Sequence, residues 1–174
     1  MPSSRTLISS QTLASSAASV TFSSISATYT DLVLRISARA DAATPTVYLN
    51  FNGDTSASGT LYSHTYIRGN GSTATSSRAS SNTTVEIFGG NNQSTYTANT
   101  FSNMEIYIPS YTTTTSKPMG IATVAEDNNT TANFVNATAG LYRNSTALSS
   151  ILIASASGNF VSGSSFYLYG IKNS

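Results

Sequence analysis

Side chains able to make or break bonds are scarce in this chain, and their types narrow what it can do. There is one histidine, His64, no cysteine, and seven carboxylates, at positions 31, 41, 54, 86, 105, 126 and 127. A Ser-His-Asp nucleophile needs three converging groups with the serine presented in a recognisable turn, and no serine here sits in such a motif. Without cysteine, thiolate catalysis, disulfides and cysteine-bound zinc fall away together. A paired-carboxylate glycosidase stays open on sequence alone, because Asp54 or Glu105 could meet Glu126 across two sheets; solvated turn acids are the plainer reading. Glu126-Asp127-Asn128-Asn129 offers the oxygen ligands that hard cations take, but without the spacing of a calcium loop, and reads as an ordinary turn. The expectation is a protein with no catalytic residue, no metal and no cofactor.

Binding chemistry has one better candidate. Tyr62, His64, Tyr66 and Arg68 recur at every second position, so in a strand they share a face opposite Leu61, Ser63, Thr65 and Ile67. Aromatic and arginine side chains are favoured in interfaces and stack on ligands, which makes this the candidate interface or ligand face. The competing reading is an ordinary outer sheet face with cross-strand aromatic pairs. Asn-X-Ser/Thr sequons occur at Asn70, Asn82, Asn92, Asn128, Asn129, Asn136 and Asn144, but a chain one third Ser and Thr produces them by chance.

The elements that would carry these residues read as strands throughout. Leu32, Leu34, Ile36 and Ala38 alternate with Val33, Arg35, Ser37 and Arg39. After a breaker-rich turn, Val47, Leu49 and Phe51 alternate with Tyr48, Asn50 and Asn52 until Asn52-Gly53-Asp54 closes the segment. Leu7-Ile8 and Val20-Thr21-Phe22 read as short opening strands, and Gly69 to Thr84 as a long polar loop. Further strands are expected at 61–68, 85–88, 101–108, 119–125, 134–142, 148–154 and 166–171, with no helical period anywhere. The fold class is therefore all-β: one antiparallel β-sandwich domain over residues 1–174, with nine to ten strands. A jelly roll is the first choice, and residues 1–17 are an extended N-terminal arm. The core is expected to include Leu32, Leu34, Ile36, Val47, Leu49, Phe51, Met104, Ile106, Ile108, Phe166 and Leu168.

Composition sets the surface. Ser, Thr and Asn make up more than two fifths of the chain, while charged residues are 9% and the net charge is +1. Such a surface is hydroxyl and amide, nearly indifferent to ionic strength, and has no basic footprint for nucleic acid. The N-terminus lacks the apolar stretch of a signal peptide, and Ile151-Leu152-Ile153-Ala154 is far short of the ~20 residues that span a bilayer, so neither export nor a membrane anchor is expected.

Three segments resemble small structural proteins of tailed bacteriophages. They are Ser157 to Ile171, Phe51-Asn52-Gly53-Asp54, and Asn99-Thr100-Phe101-Ser102-Asn103-Met104-Glu105-Ile106-Tyr107-Ile108-Pro109. The similarity runs from about Ala18 to Ile171 and rests on strand and turn sequences. It implies a virion protein made in the host cytoplasm, which reconciles a surface suited to the outside medium with the missing export signal. Two roles follow from the resemblance. One is a capsid decoration, or cement, protein that binds the major capsid protein on the outer shell and strengthens capsomer contacts as a homotrimer. The other is a receptor-binding tail-fibre or adhesin module recognising host-surface glycan. Without heptads or a shaft repeat, the chain leans toward decoration.

Overall fold

A computed structural model describes residues 5–43, 46–55, 60–89, 92–125 and 134–172, and all regular structure within them is β. Twelve strands are present: β1 (Arg5–Thr12), β2 (Ser19–Phe22), β3 (Asp31–Ser37), β4 (Val47–Phe51), β5 (Tyr62–Gly69), β6 (Ala74–Asn82), β7 (Val85–Ile87), β8 (Asn103–Ile108), β9 (Lys117–Ala125), β10 (Phe134–Tyr142), β11 (Ile151–Ser155) and β12 (Ser165–Ile171). They form an eight-stranded sheet of order β1-β12-β3-β8-β9-β10-β5-β6 and a four-stranded sheet of order β2-β11-β4-β7. Every strand pair is antiparallel, and the sheets pack face to face as a sandwich.

The order has an internal logic. With β5, β6, β9 and β10 set aside, the sheets reduce to β1-β12-β3-β8 and β2-β11-β4-β7. The first strand then pairs with the last, the second with the second to last, and β3 and β4 with β8 and β7. This nesting is compatible with a jelly roll. The four strands set aside form a wing that continues the larger sheet past β8.

The alternation read from sequence explains the core. Leu32, Leu34, Ile36, Val47, Leu49, Phe51, Met104, Ile106, Ile108, Phe166 and Leu168 are all buried and pack in one cluster fed by both sheets. Val33, on the face expected to be wet, is also fully buried, because it lies in register between Tyr169 on β12 and Tyr107 on β8. The turn after β4 matches its sequence: Asn52 and Gly53 have φ of 54° and 70°, the left-handed pair of a tight turn, and Asp54 N–H donates to the Phe51 carbonyl at 2.9 Å. The Asn52 side chain then bridges to the Ser149 and Ser150 amides at 2.8 and 3.2 Å.

Three expectations need correction. The predicted arm over residues 1–17 is largely a sheet edge, since Arg5 to Thr12 pairs with β12 from Arg5↔Ile171 to Thr12↔Ser165. The predicted loop from Gly69 to Thr84 contains β6, held by backbone pairing with β5. Both strands are almost entirely exposed, so their side chains carry no burial pattern for a sequence reading to detect. Among the described residues the strands number twelve instead of nine to ten, and β6 is the one that lies where no strand was expected, since β7 matches the strand read at 85–88.

Candidate functional site

The alternation along β5 is as expected, but its chemistry-bearing face points inward. Tyr62 is fully buried, its ring centroid 5.1 Å from that of Tyr142 and 6.2 Å from that of Phe51. Its hydroxyl accepts the Phe51 N–H at 3.0 Å and donates to the Asp54 carbonyl at 3.1 Å, and burial pushes its pKa up to about 12. Tyr142 donates to the Asp54 carboxylate, which also accepts from Asn144 Nδ2 at 2.8 Å. His64 is 4% exposed. Tyr66 and Arg68 are half-buried, with the Tyr66 ring 4.6 Å from Phe88 and the Arg68 guanidinium 4.7 Å above the Phe134 ring. Tyr62, His64, Tyr66 and Arg68 therefore do not form one exposed docking face. Tyr62 packs in the core on Phe51 of the smaller sheet, whose edge strand β7 lies against β5, and Tyr66 carries the same inward face on to Phe88.

The inner face of the wing is also unusually polar. Asn136 and Thr138 on β10 are buried, and both polar atoms of the Asn136 amide, Thr138 Oγ1 and His64 Nδ1 have no hydrogen-bond partner. Burial lowers the His64 pKa below its ordinary 6.5, against a smaller upward pull from Glu86 on β7. The unfolded chain therefore takes up a proton at a higher pH than the folded one. The His64 contribution is fully present above about pH 6.5 and is lost as pH falls toward the lowered folded value. Urea midpoints measured between pH 5 and 8 should fall on the acid side more steeply in the native chain than in His64→Gln.

Asp31, Asp41, Asp54 and Glu105 have structural partners. Asp31 accepts from the Tyr107 hydroxyl and the Ser110 amide, both at 2.8 Å, and Asp41 accepts the Asn159 amide at 2.7 Å. Glu105 sits between Arg35 at 2.8 Å and Arg5 at 3.3 Å, which holds its pKa below the usual carboxylate range. Among the described residues no three His, Cys, Asp or Glu converge as a metal site would require. The candidate calcium turn at Glu126-Asp127-Asn128-Asn129 lies outside the described residues, as does the Glu126 partner considered for Asp54 or Glu105.

The wing's outward face has a different character. Gly120 and Ala122 on β9 lie beside Ala139 and Ala137 on β10, and all four are exposed. On one side Tyr107 and Glu105 of β8 flank this floor, and on the other Thr65 and Ile67 of β5, with Val135 at one end. Three strand spacings separate the flanks, about 14 Å. Ile67 and Val135 are 63% and 65% exposed, and the shallow grooves here measure about 510 and 410 Å³.

Alanine and glycine are poor strand formers, so a solvated face gains nothing from them. Gly140 and Gly170 have internal reasons, because a Cβ there would meet the Met119 side chain at 2.8 Å and the Tyr29 ring at 2.2 Å. Gly120 and Gly69 have none: neither has a left-handed φ, and a Cβ on either would meet open space. Both belong to the same outward face. Gly120, in the interior of β9, is the kind of strand glycine that often marks close approach of a ligand or another backbone, whereas Gly69 ends β5 at the turn closed by Asn70 and Thr73. The signal lay in Gly120, Ala122, Ala137 and Ala139, residues too small to draw notice in a search for chemistry.

No protein-family model matches the chain, and no curated protein matches it. No helix among the described residues is long and apolar enough to cross a membrane.

Proposed function

We propose that this chain is a tailed-bacteriophage virion protein that decorates the outer capsid shell, docking the wing's furrow on the major capsid protein and reinforcing capsomer contacts. The observation that carries this reading is the exposed Gly-Ala floor between Ile67, Val135 and Tyr107, with a strand glycine, Gly120, that the subunit itself does not require. A close-approach, charge-poor face suits permanent attachment to another protein. The resemblance to phage structural proteins supplies the partner and a three-fold grouping of copies.

Gly120→Leu tests it. The space at Gly120 is open, so the free subunit should keep its fold and its melting temperature, while the side chain fills the furrow. Occupancy on shells stripped of the protein should fall more than tenfold. Native attachment should also survive a change from low salt to ~1 M NaCl, where the Debye length is about 3 Å, because the furrow floor carries no charge and Glu105 on its flank is already paired with Arg35 and Arg5. Unchanged occupancy of Gly120→Leu, or release of the native protein by salt, would overturn the docking assignment.

A second reading, glycan recognition by a fibre or adhesin module, is favoured by one feature. Tyr167 and Tyr169, with Arg35, Ser37 and Asn103, line a recess of about 220 Å³ on the same outward face, the mix of rings and polar groups that sugars stack on. Binding to host-surface glycan with no affinity for shells would favour it.

A further inference from the structure

A sandwich has four edges, and three of these are blunted. In the smaller sheet the edges are β2 and β7, of four and three residues. In the larger sheet β1 is interrupted between Leu7 and Ser9, where an extra residue breaks the register. Short strands and bulges are the usual protection against pairing with another chain. The fourth edge, β6, is nine residues long and contains no proline or lysine; its own bulge lies near one end, between Ala79 and Asn82, and leaves the six residues from Ala74 to Ala79 in unbroken register with β5, against four at most in β1. Its only charge is Arg78, and its other side chains are Ala, Thr, Ser and Asn on both faces.

We propose that β6 is an interaction edge that pairs antiparallel with β6 of a second copy of this chain, joining two large sheets across a two-fold axis. Self-pairing suits this strand. Small side chains on both faces let the strands approach without clash. A register centred on Ser76 or Ser77 sets Arg78 opposite Ala74 or Ser76 of the other copy, whereas one centred on Arg78 would put two guanidinium groups side by side. A two-fold axis perpendicular to the sheet keeps both furrows on one side of the joined surface, so both copies can meet the same support. Edge pairing over about six residues buries less than the ~1,200 Å² of a stable free dimer. The contact is therefore weak in dilute solution and strengthened where copies are held close together. It stands on the edge strand and does not depend on the shell reading.

The absence of cysteine gives a clean test. Ser76→Cys and Ser77→Cys, each oxidised at high protein concentration, should form disulfide-linked dimers through one or both positions, at least tenfold faster than Thr65→Cys on the neighbouring strand. Successive residues of a strand point their N–H groups to opposite sides, so of Ser76→Pro and Ser77→Pro one removes an outward N–H and the other a bond to β5. The variant that keeps the native melting temperature should lose the concentration-dependent rise in sedimentation coefficient. Cross-linking at neither position above the Thr65→Cys control, or self-association unchanged in the folded proline variant, would overturn the pairing.

Discussion

Leu34→Ala should lower the unfolding free energy by about 2–5 kcal/mol, the range for removing a buried leucine without collapse of the space it leaves. Leu34 is fully buried on β3, in register with Leu168 on β12 on one side and Ile106 on β8 on the other. All three belong to the cluster shared with the smaller sheet, so the backbone around the cavity is held by hydrogen bonds on both sides and cannot move in to fill it. Urea unfolding followed by fluorescence would measure the effect. A loss below ~1 kcal/mol would mean that the two sheets close over the gap, and that the core is less tightly packed than its burial suggests.

Thr138→Val should act in the opposite direction, raising stability by about 1–3 kcal/mol, the cost of a buried hydroxyl left without a partner. The two side chains are nearly the same shape. Thr138 is 4% exposed, flanked in register by Tyr66 and Ile121, and its Oγ1 makes no hydrogen bond. The same denaturant titration reads the result. If the variant is instead less stable, the hydroxyl has a partner in solution, such as an ordered water bridging it to Asn136. A gain would mean that the wing carries a standing cost on its inner face. The wing would then be the first part of the molecule to open, and hydrogen exchange of the β10 amides should show it.

Much of the body was legible in the sequence because period-two alternation is what a half-buried strand writes into its residues. Leu32, Leu34 and Ile36, and Val47, Leu49 and Phe51, were readable for that reason, and the Asn52-Gly53 turn showed through its need for left-handed backbone. Strands β1 and β6 were not legible as full strands, because they are edges held by main-chain bonds that leave no mark on side-chain type. The face of β5 was misassigned for a related reason. Alternation says which residues share a side, but which side is inside depends on the sheet packed against it. Tyr62 and His64 looked like binding groups because they are aromatic and polar, and they proved to be buried. The furrow was missed because its floor is built from what is absent, side chains beyond Cβ.

The nested order of strands also dictates when the molecule can be completed. Only β5 with β6 and the run β8-β9-β10 join neighbours in sequence, so these can form as soon as they leave the ribosome. Strand β1 must wait for β12, since Arg5 pairs with Ile171, and β2 must wait for β11, since Phe22 pairs with Ile151. Closing such long loops costs entropy before any contact rewards it, which places refolding of all-β chains of this kind on the order of milliseconds to seconds. During that interval the β5-β6 hairpin, marginal by itself, forms only transiently and shows the long edge of β6 while the body is open. A crowded cell making many copies at once would meet partners for that edge before each sandwich has closed.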